Sequence, residues 1–216
     1  MGADSNDLSQ ALVDVRKAFR LLFMYQQRIY DLAQTFAEEC ALRPYCVGYG
    51  FNRPSTGNPF GNWVWDMLPM YRASFLFLSP DTDNNKAKRG EWLLDIHLVS
   101  DSGYPEGHSW RKGQPNPESF PPSEDCLSYI GVYALRNDRD EVRDWYADVW
   151  RPTVTYPSSY PSGWNAMNNG KTGVTICGAQ IDILKLSTKE AVLSAVGQFK
   201  EVLARELQII VPERAL

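Results

Sequence analysis

The sequence predicts a two-layer α+β domain: a mainly antiparallel sheet of about five strands, flanked by a long N-terminal helix and a C-terminal helix. Apolar residues recur with helical spacing at both ends of the chain, over residues 6–41 and 188–209. Between them, residues 45–186 contain short strand-like stretches separated by turn residues. Most connections between these stretches contain no predicted helix long enough for a crossover, so neighbouring strands should be antiparallel. We therefore assign residues 1–216 to one domain.

The N-terminal helix is predicted from an apolar line whose members are spaced alternately by four and three residues. This spacing is typical of a coiled-coil seam or of a long bundle helix. One interpretation is a helix packed on its own sheet; the other is a helix that pairs with a second subunit through Leu12, Phe19, Gln26 and Ile29. Gln26 is the only polar member, and a lone polar seam residue can set the register of a pair. The line comprises Leu8, Leu12, Val15, Phe19, Leu22, Gln26, Ile29, Ala33, Phe36 and Cys40.

The C-terminal helix is predicted to begin with a capping box formed by Ser187 and Glu190, whose side chains would bond reciprocal backbone donors. One apolar face follows, as expected for a helix that covers a sheet. Its members are Val192, Ala195, Val196, Phe199, Val202, Leu203 and Leu207.

Five segments have the composition of strands: 45–51, 71–78, 91–99, 127–135 and 174–186. Segment 71–78 is apolar on both faces, which favours a central strand. Segment 91–99 alternates, with Trp92, Leu94, Ile96 and Leu98 on one face. A short helix is predicted over 137–150, and long irregular connections over 102–125 and 151–172.

Composition narrows the functional classes. The net charge is −4 and the only dense basic run is Lys86–Arg89, so the sequence does not predict a broad nucleic-acid-binding surface. No apolar stretch is long enough to cross a membrane, and no secretory signal opens the chain. Four cysteines without a C-x-x-C pair predict a reduced, cytoplasmic protein. A Cys40–Cys46 disulfide is the alternative that the sequence leaves open.

Common catalytic motifs are not found. Gly170-Lys171-Thr172 resembles the end of a phosphate-binding loop, but Asn165 stands where the first glycine is required. There is no G-x-S-x-G nucleophile motif and no H-E-x-x-H zinc motif. We therefore expect no cofactor in the preferred interpretation.

The group of side chains that is most suited to metal binding or catalysis is predicted on segment 91–99. Glu91, Asp95 and His97 project from one side of this strand, and Asp182 could join them from the last strand. Such a group could bind a divalent metal and act in a metal-assisted hydrolase or nuclease. The alternative is an ordinary solvated face of an antiparallel sheet.

Tryptophans in the centre of the chain are candidates for contacts with a partner or a ligand: Trp63, Trp65, Trp110 and Trp164. Aromatic side chains concentrate binding energy at protein interfaces. They could instead line the pocket of a small-ligand sensor, or fill the end of the core.

Together these features favour a non-enzymatic intracellular interaction protein that oligomerises through its long helix and presents aromatic loops to a protein partner. Immunity proteins and phage-defence accessory proteins are of this general type. The metal-assisted hydrolase and the ligand sensor are the alternatives.

Overall fold

The computed structural model describes residues 5–48, 70–103, 121–154 and 160–212, with side chains from Asp7 onward. It divides into two compact units, Met1–Thr35 and Phe36–Leu216. Within the described residues, no helix combines the length and apolar composition needed to cross a membrane.

Helix α1 extends without interruption from Ser5 to Glu39 and confirms the long N-terminal helix. Asp7 lies in its first turn, where a carboxylate interacts favourably with the helix dipole. The helix ends before Ala41, whose positive φ of 54° is incompatible with a further helical turn.

The sheet has six antiparallel strands in the order β1-β2-β3-β4-β6-β5. The predicted α+β class is therefore confirmed, with one strand more than expected. Strand β5 lies in the predicted irregular segment 151–172, and its sequence, Asn-Ala-Met-Asn-Asn, contains no β-branched or aromatic residue. The strands are β1 (Arg43–Val47), β2 (Arg72–Leu78), β3 (Trp92–Val99), β4 (Tyr129–Asn137), β5 (Asn165–Asn169) and β6 (Val174–Asp182).

A C-terminal helix, α3 (Lys189–Val202), covers the face of the sheet that carries Trp92. The Trp92 and Phe199 rings meet edge to face, with centroids 6.4 Å apart. The predicted Ser187 cap is wrong by one residue: the Thr188 hydroxyl accepts the Ala191 N–H at 3.2 Å. Ser187 has helical backbone angles and so cannot take the extended conformation of an N-cap.

The opposite face of the sheet is also buried. A π-helical turn, Trp145–Trp150, continues into the short helix α2 (Arg151–Thr153). Trp145 and Trp150 are fully buried in a core cluster with side chains of β2, β3, β4 and β6. The predicted helix over 137–150 is correct only at its end, because Asp144 caps the turn by accepting the Ala147 N–H at 2.6 Å.

Candidate functional site

The first part of α1 exposes a line of large apolar side chains. Leu12 is 49% exposed and Phe19 is 66% exposed, although both belong to the predicted seam. Gln26 is half-buried, and Ile29 is fully buried in the chain. Of the four predicted seam residues, Leu12 and Phe19 are thus accessible to another molecule, whereas Ile29 is not. The exposed members of this line, here called the α1 stripe, are Leu8, Leu12, Val15, Phe19 and Phe23.

A second feature is a buried polar cluster on strand β3. Asp95 and His97 are 0% and 1% exposed, so for these two residues the solvated-face interpretation is wrong. Trp150 donates its indole N–H to Asp95 Oδ2 at 2.9 Å, and Tyr160 donates its hydroxyl to the same oxygen at 3.0 Å. Ser74, directly opposite His97 on β2, places its Oγ 2.8 Å from His97 Nδ1.

Two atoms of this cluster lack a hydrogen bond within the part of the chain that the structure describes: Asp95 Oδ1 and His97 Nε2. Buried polar atoms without a partner are uncommon in proteins, because each has lost its hydration without compensation. The cluster therefore has residual capacity to accept or donate hydrogen bonds.

Burial dominates the electrostatics of both side chains. It raises the pKa of Asp95 to about 6, while the hydrogen bonds from Trp150 and Tyr160 act in the opposite direction. Burial also lowers the pKa of His97 to about 3, and the nearby Arg72 charge adds to this effect. At neutral pH the His97 imidazole is accordingly uncharged, and the Asp95 carboxyl changes its protonation state just below neutral pH.

Glycine makes room for the aromatic side chains around this cluster. The Tyr133 ring stacks on Tyr160 with centroids 4.1 Å apart and lies over Gly131. A Cβ atom at Gly131 would lie 2.0 Å from the Tyr133 ring, which has no space to move because Tyr133 is fully buried. Gly131 is therefore part of what packs Tyr133 and Tyr160 beside Asp95.

The four predicted catalytic residues do not converge. Glu91 accepts the Lys88 N–H at 2.8 Å in the turn before β3. Asp182 accepts the Leu184 N–H at 2.9 Å and caps a 3-10 turn after β6. Only Asp95 and His97 lie together, and no group of three His, Cys, Asp or Glu residues among those described could hold a metal ion.

Sequence reasoning missed the partners of Asp95 and His97. Trp150 and Tyr160 are distant from Asp95 in sequence and reach it only through the fold. One signal was available: Ser74 is the single neutral polar residue in the otherwise apolar segment 73–78.

Of the tryptophans predicted to contact a partner, Trp63, Trp65 and Trp110 lie outside the described residues. Trp164 is half-buried and immediately precedes β5. It lines a pocket of about 340 Å³ between β6 and α3, at the edge of the sheet.

Comparisons with known proteins agree on one family. The model of the PM0109 family matches residues 5–208, which is most of the chain. The uncharacterised protein PM0109 of Pasteurella multocida (strain Pm70) is 25% identical over 215 residues, covering 94% of this chain and 97% of that protein. No solved structure matches. The chain belongs to the PM0109 family.

Proposed function

We propose that this protein is a self-associating interaction protein, and that the α1 stripe pairs with the α1 stripe of a second copy. The observation that carries the proposal is the exposure of five large apolar side chains along one side of a helix. Contiguous apolar surface of this kind on a protein usually marks an interface.

The spacing of the stripe favours another helix as the partner. Leu8, Leu12, Val15 and Phe19 follow the alternating intervals of four and three residues that two helices share when they pack side by side. None of these seam residues is charged, so two identical stripes can meet without placing like charges in the contact. These properties support a second copy of the chain as the occupant.

The exposure of neighbouring residues of the helix also supports pairing with a second helix. Residues 14–21 are exposed on every side of α1. Helical stability in proteins derives mostly from packing of an apolar face, and isolated helical segments are marginal in water. A second helix on the stripe would supply that packing.

We also propose an intracellular location. All four cysteines are free thiols, and Cys40 and Cys177 are buried. Free thiols are the usual state of cysteine inside cells, whereas secreted proteins generally form disulfides.

Self-association is tested by measuring molar mass with light scattering coupled to size-exclusion chromatography. The test variant is Leu12→Asp/Phe19→Asp. The matched control is Leu21→Asp, since Leu21 is 64% exposed on the other side of the same helix. One copy weighs 24.5 kDa.

We expect the wild-type protein and Leu21→Asp to have at least twice the mass of one copy, and the double variant to have the mass of one. A wild-type protein that stays at the mass of one copy at tens of micromolar contradicts the proposal. Equal loss of association in the control contradicts the role of the stripe.

A further inference from the structure

Strand β6 extends beyond its neighbour β5 at the edge of the sheet. The pairing of β5 with β6 ends at Asn165 and Gly178. Strand β6 continues to Asp182 and remains paired with β4 on its other side. Among the described residues, the segment after Gly178 therefore has a strand on one side only.

The direction of its backbone groups follows from two hydrogen bonds. Ile183 donates its N–H to the Ser128 carbonyl at 3.0 Å, and the Gly173 carbonyl accepts the Asp138 N–H at 3.0 Å. In each bond an odd-numbered residue next to an end of β6 is joined to a residue next to an end of β4. The backbone groups of these odd-numbered residues therefore point to the β4 side. Because the direction alternates along an antiparallel strand, the N–H and C=O of Gln180 point to the uncovered edge.

This edge forms one wall of the pocket that Trp164 lines, here called the edge groove. The opposite wall is α3, through Ala191 and Ala195, and Lys185 lies in the turn between β6 and α3. Among the residues that the structure describes, the groove thus combines a strand edge that no other strand covers, apolar side chains and a cation.

Trp164 is held in position from outside the groove. The Arg205 guanidinium donates to the Trp164 carbonyl at 3.2 Å, and the Trp164 and Phe199 rings lie 6.3 Å apart. The first contact anchors the Trp164 backbone and the second packs its indole, so the side chain loses less conformational freedom when a ligand binds.

We propose that the edge groove binds a short extended peptide segment of a partner protein, which adds to the sheet beside Gln180. An extended backbone supplies the alternating donor and acceptor that an uncovered strand edge can pair with. The apolar wall and Trp164 accept an apolar side chain of the segment. The segment also carries a carboxylate, because the groove is lined by Lys185 and by Ala191 in the first turn of α3, where the helix dipole is positive.

Selection from a phage-displayed library of random decapeptides tests this proposal, followed by fluorescence anisotropy with the peptide that is most enriched. Ser194→Trp fills the groove from an exposed position on α3, and Leu193→Trp is its control on a residue that does not line the groove. Lys185→Glu reverses the groove charge, and Lys189→Glu is the corresponding control outside the groove.

We expect enriched peptides to combine an apolar residue with a carboxylate. Their affinity should fall about tenfold or more in Ser194→Trp and Lys185→Glu, and about twofold or less in the two controls. Absence of enrichment, or equal binding to Ser194→Trp and Leu193→Trp, overturns the proposal. Enrichment of peptides without a carboxylate overturns the assignment of Lys185.

The same titration on Leu12→Asp/Phe19→Asp separates the two proposals. Peptide binding that persists in this variant shows that the edge groove does not depend on the α1 stripe. If the wild-type protein proves to be a single copy, the peptide titration remains a complete test of the groove.

Discussion

Two polar side chains lie in the core of this protein, although each of them alone would be more stable in water. Asp95 and His97 occupy alternate positions of a strand, a pattern that usually places polar side chains on a solvated face. Here that face is covered by Trp150 and Tyr160, each of which donates a hydrogen bond to Asp95. The carboxylate thereby keeps part of the hydrogen bonding that it loses on leaving water.

The first prediction concerns the pH dependence of stability through Asp95. Folding raises the pKa of Asp95 from 3.8 to about 6. The protonated carboxyl therefore stabilises the folded protein fully at a pH below the ordinary pKa, and this stabilisation is lost as the pH rises through the raised pKa. Asn accepts the same two hydrogen bonds without a charge. The free energy of unfolding of Asp95→Asn minus that of the wild type should therefore increase by about 2 kcal/mol from pH 4 to pH 7.

Urea unfolding of both proteins at a series of pH values measures this difference. His97 contributes with the opposite sign, since its lowered pKa makes stability fall as the pH decreases below about 6.5, where it titrates in the unfolded chain. That contribution is common to the two proteins and cancels in the comparison. A difference that stays constant with pH contradicts the assignment of a raised pKa to Asp95.

At the level of secondary structure, elements with strong local signals were predictable. The periodicity of α1 and α3 and the alternation of β3 depend only on neighbouring residues, and each produced a correct element. Strand β5 was missed because Asn165–Asn169 has little strand propensity of its own and depends on pairing with β6. The environment of Asp95 was missed for a related reason: its partners come from other elements.

The second prediction tests where α3 begins. Thr188 satisfies the Ala191 N–H, whereas Ser187 belongs to the preceding turn. Thr188→Ala should lower the free energy of unfolding by about 1 kcal/mol, the usual cost of removing an N-cap. Ser187→Ala is the control and should change it by less than about 0.5 kcal/mol. Thermal or urea unfolding distinguishes them, and a larger loss in Ser187→Ala would restore the capping box predicted from sequence.

Across the whole molecule, the two compact units differ in how much of their apolar surface is buried. The residues from Phe36 onward form a unit with its own core, in which Trp145, Trp150 and Phe199 are completely buried. The described residues of the first unit all belong to α1, and their N-terminal part exposes the α1 stripe. Under the proposed function, the stability of that part depends on protein concentration, because the packing that it lacks comes from a second copy.

The last prediction uses this separation. All seven tryptophans lie between residues 63 and 164, and Trp145 and Trp150 are fully buried in the core of the second unit, so their fluorescence reports on that core. Circular dichroism at 222 nm also reports on the long helix α1. On heating, the midpoint temperature at which the helical signal is lost should rise by about 2 °C for each tenfold rise in protein concentration. The midpoint of the tryptophan signal should stay unchanged.

Phe19→Asp is the variant that completes this experiment. We expect it to reduce the helical signal at 25 °C and to remove the dependence on concentration, since a buried carboxylate in the seam opposes pairing. Its tryptophan midpoint should equal that of the wild type, because the Phe19 side chain is exposed and is not part of the core that contains Trp145 and Trp150. If the helical midpoint of the wild type is independent of concentration, α1 is stable without a second copy and the proposed pairing is wrong. If both midpoints rise together with concentration, association instead stabilises the core, and the contact must be sought on the second unit.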